Sequence, residues 1–408
     1  MRILYNTVLF LYFKLIFLAS FVNERAKKLY AGQKNILGDL EQKIKSGEQY
    51  VWFHAASLGE FEQGRPVIER LKAEKPEIKI IVTFFSPSGY EIRKNYAGAD
   101  IVSYLPFDSR KHAQKFIKIV NPIQAIFIKY EFWPNYLLEL NQAQIPSYAI
   151  SAIFRPSQVF FKSYGSWYLN LLKTFNHIFV QDSDSLELLN KFGLKNASIA
   201  GDTRFDRVVD GIINAKTDSL VESFIEKAEK VIVAGSSWPK DEDLLLRYIA
   251  DNKRVKLILV PHEIHETHLN AIDNLNKSKC IRYTQTNENE LKSASILVIN
   301  TIGLLSSIYR YGNVAYIGGG FGVGIHNTLE AAVWNVPVVF GNNFKKFKEA
   351  KDLVNLGGGF NINNYEELKS KLDLLLEDKD NKAGIIAGNY VKNNTGATQI
   401  IINRLLIK

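Results

Sequence analysis

Short apolar runs rich in Val, Ile and Phe recur along the chain, each followed by a stretch long enough for a helix. This alternation restricts the fold more than any other feature. Runs at Tyr50–His54, Ile78–Phe84, Ile101–Leu105, Ala125–Ile128, Ser147–Ile150 and His177–Val180 are apolar or aromatic almost throughout, as strands covered by helices on both faces must be. Segments such as Phe61–Ala73, Lys111–Ile119 and Phe132–Asn141 supply the crossovers. A second series follows at Val231–Ala234, Leu257–Val260, Ile296–Ile299, Val314–Ile317 and Val336–Phe340. Such a succession predicts an α/β protein with doubly wound parallel sheets. At 408 residues the chain exceeds one compact core. Two Rossmann-like domains are therefore expected, 31–208 and 209–408, with the polar, strand-poor stretch Arg207–Lys230 as the linker.

Residues 1–30 stand apart as an expected N-terminal membrane anchor. Ile3 to Val22 is dominated by Leu, Ile, Phe and Tyr, with Lys14 as the only charge. About 20 apolar residues suffice to cross a bilayer, yet a central lysine costs roughly 3 kcal/mol on insertion scales. Lys14 can snorkel, or the segment can lie in the interface. Arg25, Lys27 and Lys28 follow, on the side that positive charge marks as cytoplasmic. No convincing cleavage site of small residues comes after, so the segment reads as an uncleaved anchor. The alternative is a buried amphipathic helix. Either way, the rest of the chain is expected in the cytoplasm.

The formal charge of +9 favours an anionic partner. Basic residues are scattered and not interleaved with aromatics in one stripe, which argues against nucleic acid. Cys280 is the single cysteine, so neither an intrachain disulfide nor a cysteine metal cluster can form. Asp182-Ser-Asp184 has the DxD pattern of metal-using transferases, but it opens a helix where Asp is a routine N-cap. No metal or other cofactor is expected.

Candidate chemistry gathers at the carboxyl ends of the strands. His54-Ala-Ala-Ser-Leu-Gly-Glu60 places a carboxylate where a helix begins. Glu60 can take a proton from an attacking hydroxyl, or it can simply satisfy first-turn amides. Ser86 and Ser88 read as helix caps. Lys129-Tyr-Glu131-Phe-Trp133-Pro-Asn135 brings a second carboxylate to the same sheet edge. In Gly201-Asp-Thr-Arg204-Phe-Asp206, Arg204 can hold an anion with two parallel bonds or pair with Asp202 or Asp206. The second domain offers Ser236 in a small-residue turn, Pro261-His262 after a strand, and Thr301-Ile302-Gly303 at a helix start. Its richest stretch is Gly318-Gly319-Gly320-Phe-Gly322-Val-Gly324-Ile-His326-Asn327-Thr328-Leu329-Glu330. Glycines there let backbone amides approach an anion. A helix expected to begin near His326 adds its dipole, with Glu330 one turn along on the same face for ribose hydroxyls.

With these residues in view, the chain resembles the transferases of 3-deoxy-D-manno-octulosonic acid (Kdo). The resemblance rests on His54–Pro66, Phe85–Glu91, Glu131–Asn135, Gly201–Asp206 and His326–Glu330, in that order, with Gly341 beyond. It implies a GT-B glycosyltransferase architecture, two Rossmann-like halves across a cleft, which phosphorylases and epimerases share. It further implies inverting transfer of Kdo from CMP-Kdo to the lipid A precursor at the membrane surface, without a metal. By position Glu60 matches the general base, and Glu131 and Arg204 match transition-state stabilisers. Pro261-His262, Ile302-Gly303-Leu304 and Asn327–Glu330 match the CMP-binding segments. The family usually has an acidic residue and Thr where this chain has Lys129-Tyr130, and Arg-His-Pro where it has His262-Glu-Ile.

Overall fold

A computed structural model describes residues 1–213, 215–275, 280–286 and 288–405. The chain forms two compact units, one of Met1–Asp206 together with the chain from Thr395 on, the other of Arg207–Asn394. The first holds strands β1 (Tyr50–Ala55), β2 (Lys79–Phe84), β3 (Ile101–Tyr104), β4 (Gln124–Ile128), β5 (Ser147–Ala152), β6 (His177–Val180) and β7 (Ala197–Ile199). They pair in parallel in the order β3-β2-β1-β4-β5-β6-β7. The second holds β8 (Lys230–Ser237), β9 (Val255–Pro261), β10 (Cys280–Arg282), β11 (Ile296–Val298), β12 (Val314–Ile317), β13 (Val338–Gly341) and β14 (Gly359–Ile362). Their order is β10-β11-β9-β8-β12-β13-β14, again parallel. Central strands are buried over all or nearly all of their length, Trp52, Phe53, Phe127, Ile258 and Tyr316 among the buried residues. That is why their sequences carry no polar face.

Three strands escape the sequence pattern, β7, β10 and β14. Each lies at a sheet edge and is short, and each is half-covered at several positions. The stretch expected as a linker is helical over Thr203–Ile213 and Ser219–Ile225. The boundary expected at 208/209 falls at Asp206/Arg207, inside the first of these helices.

A second correction concerns the two ends of the chain. The C-terminal helix Ala397–Leu405 was expected in the second domain, but Ile401, Ile402 and Leu405 pack into the first unit's core beside Phe61, Val67 and Leu71. Asp206 caps it, accepting from the amides of Gly396 and Thr398 at 2.5 and 2.7 Å. The N-terminal helix Arg2–Ala19 is long and apolar enough to cross a membrane by length and composition. It is not a segment apart, however. Ile16 joins Leu29, Ile36 and Tyr104 of the first unit in one cluster, with Phe13 and Phe107 against it.

Candidate active site

Open parallel sheets collect ligands where the chain changes direction across the sheet. In the first unit that point lies between β1 and β4, and both expected carboxylates flank it. Glu60 stands in the first turn of helix Leu58–Glu74, directly after β1, and Glu131 stands just past β4. Glu60 is half-buried, and its Oε2 accepts from the Ala56 amide at 2.7 Å. The first-turn bond open from the sequence is therefore made. Burial is the main force lifting the Glu60 pKa from 4.5 to about 7; the neighbouring Glu131 adds to it, while the Ala56 amide and the Lys129 ammonium oppose it.

Glu131 is held from behind. Its Oε2 accepts from the Trp133 indole at 2.8 Å, and the same N–H lies 2.9 Å from His54 Nε2. An indole N–H can only donate, so His54 Nε2 is an acceptor and the ring proton is on Nδ1, facing the Thr83 carbonyl at 3.1 Å. His54 is thus a fully buried prop 3.4 Å from Glu131. Two non-glycine residues beside these carboxylates occupy the left-handed backbone region, Lys129 with φ +63° and Ser151 with φ +53°. Such strain costs free energy and persists only where surrounding contacts enforce it. Here the Ser151 hydroxyl bonds Thr203 at 3.2 Å, and its carbonyl accepts from Gln181 at 3.1 Å.

Arg204 lies on helix Thr203–Ile213. Of the two partners open from the sequence, Asp202 is the one it takes, through Nε at 2.8 Å and a terminal nitrogen at 2.7 Å. The Thr203 hydroxyl donates to the Gln63 carbonyl, one turn past Glu60. This bond draws the head of the Arg204 helix against the Glu60 helix. The first unit therefore presents a carboxylate that exchanges its proton near neutral pH, a second carboxylate and two cations.

In the second unit the change of direction lies between β8 and β12, and the glycine-rich stretch follows β12. Gly319 has φ +91°, and a Cβ there would sit 2.3 Å from the Gly324 carbonyl oxygen. Gly320 and Gly341 abut so closely that a Cβ on Gly320 would lie 2.5 Å from Gly341 Cα. Ser236 has φ +53°, where the β8–β9 register slips between Gly235 and Ser237. Pro261 ends β9, and the His262 amide donates to the Ser237 carbonyl at 3.0 Å. The His262 ring stacks on Trp238 and on His326, with centroids 4.9 and 4.5 Å away. Trp238 Nε1 donates to His326 Nε2 at 3.2 Å, and burial with the His262 charge pushes the His326 pKa down to about 4. His326 is therefore neutral at physiological pH. Ile302 is 87% exposed, Gly303 has φ +99° and Leu304 caps a short helix whose Leu305 packs toward Gly235.

The helix expected at His326 begins only at Leu329 and runs four residues, Leu329–Ala332, with Thr328 at its cap. Glu330 consequently does not share a helical face with His326. It accepts from the Asn327 side chain at 3.0 Å, and Asn327 Oδ1 takes the Leu329 amide at 3.1 Å. The glycine-rich stretch runs as turns, the Gly322 and Gly324 amides both donating to the Gly319 carbonyl at 3.0 Å, and Gly324–Asn327 are not helical. Thr328 is fully buried, and its hydroxyl has no partner among the described residues. Asp182, for its part, caps its helix by accepting from the Ser185 amide at 2.8 Å.

Sequence reasoning missed Asp241. Its buried carboxylate accepts from Tyr316 at 2.7 Å, from the Gly319 amide at 2.9 Å and from the Trp238 amide at 3.0 Å. It therefore ties the glycine-rich stretch to β12 and to the aromatic stack. An acid three residues past a helix cap, as in Trp238-Pro-Lys-Asp241, is the sequence signal that could have found it. His54 and Trp133 lay within quoted motifs but had been assigned no role.

Comparison with known proteins agrees with this geometry. Residues 28–207 match the 3-deoxy-D-manno-octulosonic-acid transferase (kdotransferase) family. The chain is 27% identical to the 3-deoxy-D-manno-octulosonic acid transferase of Aquifex aeolicus over 86% of its own length and 94% of the relative's. For that of Rickettsia felis the figures are 28%, 80% and 71%, and for that of Haemophilus influenzae 26%, 88% and 86%. Among solved structures it is similar to UDP-GlcNAc 2-epimerase from Neisseria meningitidis bound to UDP-GlcNAc, with a TM-score of 0.62, 15% identity and coverage of 88% and 100%. A glycosyltransferase from Rickettsia africae gives a TM-score of 0.55 at 14% identity, covering 88% and 97%. At such identities these structures speak for the fold alone, two parallel-sheet α/β domains of the GT-B kind. The order of motifs, a family match over residues 28–207 and relatives spanning most of the chain agree: the chain is similar to the Kdo transferases, glycosyltransferases of lipopolysaccharide biosynthesis.

Proposed function

We propose that the chain transfers Kdo from CMP-Kdo to a hydroxyl of the lipid A precursor, with inversion, at the cytoplasmic face of the inner membrane. The observation that carries this reading is Glu60, a half-buried carboxylate at the sheet's change of direction whose pKa is lifted to about 7. A base works best when its pKa lies near the working pH. In the step, Glu60 takes the acceptor's hydroxyl proton as that oxygen bonds to the anomeric carbon. The bond from that carbon to the CMP phosphate oxygen breaks, and CMP departs with the electron pair. Glu131, oriented by Trp133, and Arg204, oriented by Asp202, stabilise charge as it develops.

The second unit holds the nucleotide in this scheme. The Gly320 amide meets the phosphate, since Asp241 already takes that of Gly319, His262 offers its ring for stacking, and Asn327 and Glu330 meet the ribose hydroxyls. Ser236, Pro261, His326, Thr328, Leu329 and the Ile302–Leu304 segment shape the same surface. A monophosphate leaving group carries less charge than a diphosphate, so fixed amide dipoles and an Arg can stabilise it without a divalent ion. Transfer from CMP-Kdo, generated in situ, to tetraacyl lipid A precursor in detergent with EDTA tests the whole proposal. Mass spectrometry should find product heavier by Kdo residues. No product beside an active control enzyme would overturn the donor and acceptor assignment.

A further inference from the structure

The N-terminal helix is clasped by the first unit along one face. Arg2 donates to Asn135 Oδ1 at 3.1 and 3.2 Å, and Asn135 in turn donates to Asn6 at 2.9 Å. The Tyr5 hydroxyl donates to buried Asp108 at 2.7 Å. Phe13 stacks on Phe107 with centroids 3.8 Å apart, and Ile16 is buried. Positions 2, 5, 6, 13 and 16 recur at helical spacing, so a single stripe meets the protein. On the opposite side Leu4, Leu11, Leu15 and Leu18 are each more than half exposed, and Phe21 and Val22 beyond the helix are 73% and 90% exposed.

We propose that this helix lies in the plane of an anionic lipid bilayer, its outer leucines among the acyl chains and its inner stripe held by the first unit, and that it does not cross the membrane. A crossing helix would either abandon its clasp or carry Asp108, Asn135 and Glu139 into hydrocarbon. The first course leaves buried polar groups without partners, and the second desolvates them. Asp108 already has one oxygen without a partner among the described residues, so loss of Tyr5 would deepen the cost. Charge favours lipid as the occupant. Lys14 rises from the outer face beside the Phe10 ring, and exposed Arg25, Lys27 and Lys28 follow at once, where headgroup phosphates would meet them. A second copy is the poorer fit. A strip about 27 Å long and about 10 Å wide falls well short of the roughly 800 Å² per partner of a stable dimer, and pairing would oppose the two sets of cations.

This clasp also fixes a height. Phe107 lies 6.5 Å from Phe85, Phe85 lies 4.9 Å from Trp133, and Trp133 holds Glu131. Packed rings thus connect the bilayer-facing helix to the carboxylate proposed to serve transfer. The use of this height to meet a glycolipid rests on the proposed function; the orientation of the helix does not.

The test is depth measurement on the full chain. With Cys280→Ser as background, spin labels at Leu4→Cys, Leu11→Cys and Leu18→Cys are read for oxygen and nickel accessibility. The protein is bound to vesicles of phosphatidylethanolamine and phosphatidylglycerol. The expected result is one shallow depth for all three sites. A deep Leu11 label between two shallow ones would show a crossing helix and overturn the proposal. So would labels that stay aqueous with vesicles, or that become protected without lipid as a dimer forms in the ultracentrifuge. Leu11→Glu with Leu15→Glu should weaken vesicle binding by roughly a hundredfold while leaving CMP binding unchanged. Equal depths without Kdo transfer would sink only the transferase reading. Transfer in detergent with a deep central label would sink only the orientation.

Discussion

The two units use one sheet plan for opposite chemistries. Both place their candidate residues at the change of direction, between β1 and β4 in one and between β8 and β12 in the other. The first fills that place with charge: Glu60, Glu131 and Lys129. The second fills it with glycine amides, two stacked histidines and Thr328, and one carboxylate there, Asp241, is turned inward to hold backbone. A group that must move a proton needs a tunable charge. A site that must hold a phosphate without a counter-ion needs close, fixed dipoles. The shared topology supplies only the location, and the loop residues decide which of these is built.

Substitutions can break this division or sharpen it. Glu60→Gln should lower kcat by about a thousandfold while CMP still raises the melting temperature as in the parent protein; a joint loss of both would mean the two functions are not separately housed. Gly320→Ala forces a Cβ onto Gly341 and should weaken CMP binding by roughly tenfold to a hundredfold, as displacement of about one phosphate-facing bond would. Calorimetry reads this directly, and unchanged affinity would remove the glycine stretch from the donor site.

The Glu60 charge should also be visible in stability. Its folded pKa of about 7 lies above the ordinary 4.5, so folding favours the protonated acid. That contribution is complete below pH 4.5 and disappears as pH rises through 7. Glu60→Gln should therefore gain roughly 1–2 kcal/mol over the parent protein at pH 8 and nothing at pH 4, as chemical denaturation at the two pH values will tell. The smallest effect belongs to Lys129. Replacing it with Ala removes a cation that draws the Glu60 pKa down, so the acidic limb of the kcat/KM profile should move to higher pH. An unmoved limb would leave Lys129 with a structural part only.

Much of this plan was legible from residue order. Buried strands such as Tyr50–Ala55 and Val314–Ile317 declare themselves because a sheet covered on both faces tolerates no polar side. The edge strands Ala197–Ile199, Cys280–Arg282 and Gly359–Ile362 did not, since half-covered positions relax that demand. Glu60, Glu131 and the glycine stretch were found because each follows a recognisable strand. What sets Glu60 beside Glu131 is the pairing of β1 with β4, and what sets the glycine stretch beside Ser236 is the pairing of β8 with β12, which no local pattern encodes. The short helix after Thr328 was overestimated for a related reason. Glycine favours close approach over helical order, and Gly319 and Gly324 both take positive φ. The inward turn of Asp241 and the tautomer of His54 depend on partners far along the chain. Sequence spacing could not supply them.

The return of the last helix to the first core has a consequence for how the protein is made. Ile401, Ile402 and Leu405 fill the same interior as Phe61 and Leu71, yet they leave the ribosome after the whole second unit. The unit begun first is then the one finished last, while the interrupting unit has all its strands in hand and can close on its own. Until Asp206 receives the amides of Gly396 and Thr398, the apolar wall awaiting that helix stays open. During synthesis it is the surface most in need of protection by a chaperone.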